Sequence, residues 1–88
     1  MSKYSHMNHE FLEEQIEATK SDLVFHERRL SENITTLEGL EVLSEVNPSD
    51  TIDRLLKEAV DSVKWYQGRI VYDNNLLDVL LTARDLSK

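Results

Sequence analysis

The stretch VNPSDT, residues 46–51, holds the single proline of an 88-residue chain and separates two arms of similar length. Proline lacks the N–H that a helix interior needs but is accepted in or just before a first turn, and Asn47, Ser49 or Asp50 can cap a helix that follows. The six residues therefore read as a helix stop followed by a helix start. Toward the N-terminus, steps of 3 and 4 collect Leu40, Leu37, Asn33, Leu30, His26, Leu23, Thr19 and Ile16 on one stripe, with Leu12 before it and Ile34 beside it. Toward the C-terminus the same steps collect Ile52, Leu56, Ala59, Val63, Tyr66, Ile70, Asp73, Leu77 and Leu80. Both arms have the spacing of amphipathic helices, at about residues 9–45 and 51–86, around a turn at 46–50. The fold class expected is all-α: a long antiparallel helical hairpin with VNPSDT at its apex.

Composition agrees. Two glycines and one proline leave few turn-formers, and the chain is rich in Leu, Glu, Lys, Ala and Arg, a balance that suits long helices. A helix of about 37 residues is on the order of 55 Å long, so the hairpin is too thin to build a deep core alone. The C-terminal stretch NLLDVLLTARDLSK, residues 75–88, carries more apolar side chains than one neighbouring helix covers. Leu76, Leu77, Leu80 and Leu81 are therefore the expected oligomer interface, with two hairpins forming a homodimeric four-helix bundle. Residues 1–8 read as a poorly ordered lead-in to a single helical domain at 9–88.

An antiparallel register follows from the two stripes. Pairs whose numbers sum to 99 or 100 bring Leu40 to Ala59, Leu37 to Val63, Leu30 to Ile70, Leu23 to Leu77 and Thr19 to Leu80. The same register sets Asn33 beside Tyr66 and predicts a hydrogen bond between His26 and Asp73, because an unpaired polar group in the seam is costly. The alternative is that these polar positions lie at the wet edge of a narrow seam. A different architecture, a compact three- or four-helix bundle, follows if breaks form near 31–36 and 73–75. Thr35 to Glu38 has capping-box spacing, and Asp73-Asn74-Asn75 is poor helix interior.

Charge is uneven. Residues 1–48 carry ten acidic and four basic side chains, and residues 49–88 carry seven and six, within a net charge of -7. Residues 30–46 hold Glu32, Glu38, Glu41 and Glu45 and no Lys or Arg. Glu38, Glu41 and Glu45 are the expected electrostatic partner-binding face, and Trp65, one step off the seam, is a candidate anchor. Direct nucleic-acid binding needs a basic footprint that this chain lacks. No run of 18 apolar residues and no signal-like segment occurs, so the expectation is a cytoplasmic protein that does not enter a membrane.

Motifs for chemistry are sparse. There is no cysteine, so thiolate metal sites and cysteine nucleophiles are excluded. His6, His9, Glu10 and Glu13 have helical spacing, but a Glu-rich first turn is explained by the helix dipole, and no metal or other cofactor is expected. Glu10, Glu13, Glu14 and Glu17 read as a solvated face, and no strand-turn-helix elbow or glycine-rich loop is present to hold a nucleophile or a phosphate, so no catalytic residue is assigned. The functional expectation is a small acidic, non-catalytic protein-binding module. It would resemble an inhibitor, antitoxin or immunity-type accessory protein of the phage or plasmid kind, placed on a basic surface of a nucleic-acid-handling protein. The alternative is an assembly component or co-chaperone that buries its apolar seam against another helical subunit. Asn47-Pro48-Ser49-Asp50 between two amphipathic helices resembles the bend of type III secretion needle subunits over four to six residues. The C-terminal pattern departs from that family, and no functional residue is carried across.

Overall fold

The computed structural model describes residues 9–87; the lead-in expected at 1–8 lies outside the described residues. Two α-helices, α1 (His9–Val46) and α2 (Asp50–Leu86), run antiparallel and pack along their whole length. The molecule measures 66 × 16 × 13 Å with a radius of gyration of 19.4 Å, against roughly 12 Å for a compact chain of this length. The long hairpin read from the two stripes is thus the observed fold, and the compact bundle is not formed.

The apex is made by local chemistry. The Asn47 amide donates to the Leu43 carbonyl at 2.8 Å and ends α1. Ser49, in extended conformation, starts α2: its hydroxyl accepts from the Ile52 amide at 3.1 Å, while its carbonyl accepts from the Asp53 amide at 3.0 Å. One orphan N–H of the first turn is satisfied this way. Asp50 and Asp53 also sit at the positive end of the α2 dipole.

Neither expected break is realised. Near 31–36, the Thr35 and Thr36 hydroxyls donate back to the carbonyls of Ser31 and Glu32 at 3.2 and 3.1 Å, and the Asn33 amide donates to the Arg29 carbonyl at 2.7 Å. Side chains that would have started a new helix are used along the existing one. At 73–75 the Asp73 side chain is taken up by a partner on α1, so it does not compete with its own backbone. Gly39 and Gly68 lie inside the helices with no atom near where a side chain would project.

Burial is concentrated away from the apex. Leu12, Ile16, Thr19, His26, Asp73 and Ala83 are buried in the half that holds the chain ends, whereas Ala59 is the single buried residue on the apex side. Leu23, Leu30, Leu37, Leu40, Ile52, Leu56, Val63, Ile70, Leu77 and Leu80 are half-buried along the seam. A two-helix seam covers each side chain from one direction only, which is why so few of these reach full burial.

Candidate functional site

The most constrained polar contact is between the helices. His26 Nδ1 and Asp73 Oδ2 are 2.6 Å apart, and Asp73 is only 2% exposed. This is the pair that the antiparallel register requires, and the wet-edge alternative does not hold for it. Around the imidazole stand the rings of Phe25 at 5.5 Å, Trp65 at 6.0 Å and Tyr66 at 6.1 Å between centroids, with Trp65 set edge-on to Tyr66 at 4.9 Å. Enclosed by rings and bonded to a carboxylate, His26 is positioned as a structural clasp. Below it, Arg29 Nε donates to the Tyr66 hydroxyl over a long 3.4 Å, and Arg29 Nη1 lies 3.7 Å from Glu32. The Tyr66 oxygen first, and Glu32 less, hold the guanidinium above its ordinary range. Asn33 turns to its own helix backbone for its hydrogen bond, and the bonded partner of Tyr66 is Arg29, one turn earlier.

Near the chain ends, Arg84 Nη1 donates to Glu13 Oε1 at 3.2 Å and ties α2 to α1. His9 Nε2 lies 3.6 Å from the same Glu13 oxygen. That carboxylate serves a salt bridge across the hairpin, and His6 lies outside the described residues. Among the described residues no group of three or more His, Asp or Glu side chains is gathered as a metal site would require, and no helix is long and apolar enough to cross a membrane.

The acidic face expected near the apex is on the surface. Glu38, Glu41 and Glu45 are all exposed on α1, and none of them takes part in an ion pair or side-chain hydrogen bond among the described residues. The last turn of α1 carries no basic residue to offset its negative dipole end. Between residues 38 and 61, both sides of the apex together hold seven acidic side chains against Arg54 and Lys57.

Apolar side chains also remain on the surface. Leu76, Leu77, Leu80 and Leu81 are half-buried, drawn partly into or beside the seam. Large apolar residues left open toward the chain ends are Trp65, Val71, Tyr72, Val79 and Leu86 on α2 and Phe11, Val24 and Phe25 on α1, and nearer the apex Ile34, Val42, Leu43, Val46 and Leu55 are also exposed. Trp65, the candidate anchor, is 58% exposed although its ring touches Tyr66 and His26. The Arg69 guanidinium lies 4.5 Å from the Tyr72 ring. Two shallow surface clefts flank this apolar surface, of about 330 Å³ between Asp78, Val79, Thr82 and Ala83, and about 290 Å³ between Lys20, Ser21, Val24, Phe25 and Arg28.

Comparison with known proteins returned no matching family model, no similar curated protein and no similar solved structure.

Proposed function

We propose that this chain is a small acidic, non-catalytic protein-binding module, cytoplasmic and homodimeric, that sets its carboxylate-rich apex against a basic surface of a partner protein. The mode is that of an inhibitor, antitoxin or immunity-type protein on a nucleic-acid-handling enzyme. One observation carries the reading: seven acidic and two basic side chains lie between residues 38 and 61, and the exposed Glu38, Glu41 and Glu45 have no intramolecular ion pair. Like charges gathered on a rigid end produce a focused negative field, which steers a basic partner and repels nucleic acid. The helical seam needs none of these carboxylates for folding, so they are available for contact.

A second reading, an assembly component or co-chaperone docking on another helical subunit, is favoured by the exposed apolar side chains of α2. Salt separates the two. In calorimetric titrations against a panel of purified basic nucleases and nucleic-acid-binding domains, the apex reading expects at least one partner. Its affinity should fall tenfold or more between about 0.05 and 0.3 M salt as screening shortens. The triple variant Glu38→Gln/Glu41→Gln/Glu45→Gln should lose that binding with helicity unchanged. Binding that ignores both salt and the triple variant would overturn the apex reading.

A further inference from the structure

Apolar side chains outside the seam fall into a pattern. On α2, Trp65, Tyr72, Val79 and Leu86 recur every seven residues, which sets them in one row along the helix, and they are 58, 51, 64 and 58% exposed. On α1, Phe25 is 47% exposed and stands seven residues from Ala18. The register anchored by His26 and Asp73 sets Phe25 level with Asn74, two residues from Tyr72, and Ala18 level with Leu81, two residues from Val79. In an antiparallel pair, equivalent heptad positions fall on the same side of the two helices. Phe25 and Trp65 indeed flank the same imidazole. The result is one apolar face about 30 Å long, at 1.5 Å of rise per residue from Trp65 to Leu86.

The elongated shape, 66 × 16 × 13 Å, leaves surface to spare for a partner. The chain exposes 6415 Å², about 1,000 Å² more than the roughly 5,400 Å² expected for a compact protein of this mass. A stable interface takes about 800 Å² from each side. We propose that the face is covered by a second copy of the chain, lying antiparallel across it. The proposal rests on the homodimer reading above and names its surface. A two-fold axis crossing α2 midway between Tyr72 and Val79 sets Tyr72 of one copy into the cleft beside Val79 of the other and Trp65 over Leu86. Large side chains thus meet smaller ones along the row. Charge chooses the direction: a parallel pair would set two apices, each with seven acidic and two basic side chains, side by side within about a Debye length. The antiparallel pair places them at opposite ends of the dimer, both free.

The chain's lack of cysteine makes a direct test practical. In the double variant Tyr72→Cys/Val79→Cys the two sulfurs lie about 10 Å apart along one helix, too far to close within a chain. Mild oxidation should give a covalent dimer, whereas Val24→Cys, off the row, should not. Tyr72→Glu/Val79→Glu should weaken the dimer at least a hundredfold in sedimentation equilibrium while circular dichroism shows the helices kept. If the parent chain is a dimer that the Glu variant leaves intact and only Val24→Cys links, the face is wrong and the homodimer reading survives. A parent chain that stays monomeric to about millimolar concentration overturns both, and leaves the row for a different helical subunit.

Discussion

The two halves of the hairpin are built from the same periodic seam but hold together by different means. In the half with the chain ends, Leu12 and Ile16 are fully buried, His26 and Asp73 close a buried hydrogen bond, and Arg84 reaches Glu13 across the pair. In the apex half, Ala59 alone is buried, the Leu and Ile side chains of the seam are half-covered, and carboxylates crowd the surface. The closing turn makes apex contacts local in sequence, so they cost little loop entropy. The ends have no such help and need specific long-range contacts. Stability and register are therefore assigned to one half, and the charged surface to the other.

The largest expected effect breaks that division at its strongest contact. Asp73→Ala leaves the His26 nitrogen buried without its partner, at a cost of about 3 kcal/mol. In a two-helix chain with little stability to spare this should be visible as a large fall in the urea midpoint. Replacing both members, as His26→Leu/Asp73→Leu, should recover most of the loss, since an apolar pair of similar volume does not need the bond. A double variant as weak as the single one would mean that the pair does more than satisfy itself. It would then be setting the register, and the helices of the double variant should slip.

Next in size is a matched pair of truncations. Ile16→Ala, at a fully buried site, should cost about 3 kcal/mol, and Leu37→Ala, at a half-buried site of the apex half, about 1 kcal/mol. Equal losses in chemical denaturation would remove the contrast between the halves. They would point to burial near Leu37 supplied by a second chain.

The architecture was legible in the sequence; the contrast in burial between its halves was not. The apex, the two helices and the His26–Asp73 contact follow from a seam whose polar interruptions fall opposite each other; of the two interruptions, His26–Asp73 closes a bond across the seam, whereas Asn33 bonds to its own helix and Tyr66 to Arg29. The helix continuity through Thr35 and Thr36 was not legible, because a hydroxyl's choice between capping a new turn and bonding back to the existing one is settled by the long partner helix. Of the open apolar surface, Trp65 alone was named from the sequence. A count of apolar density selected Leu76, Leu77, Leu80 and Leu81, which the structure half-buries. The seven-residue recurrence of Trp65, Tyr72, Val79 and Leu86 was the available signal, readable only once the seam's phase says which side of α2 faces out.

The smallest expected effect sharpens the comparison most. Gly39 and Gly68 both sit in helix interiors with open space where a methyl group would go, so each change to alanine should stabilise by about 0.5–1 kcal/mol through the unfolded chain's lost freedom. No atoms near either site are shared, and the two gains should add. Their distribution should differ, however. Gly39 belongs to the sparsely buried apex half, where local opening is expected to be cheapest, so Gly39→Ala should slow amide hydrogen exchange there first. Gly68 lies one turn from the ring cluster around His26, and Gly68→Ala should slow exchange that requires both helices to separate. If Gly39→Ala instead raises protection evenly along the hairpin, the two halves open together, and the apex is as firmly held as the end that carries the buried pair.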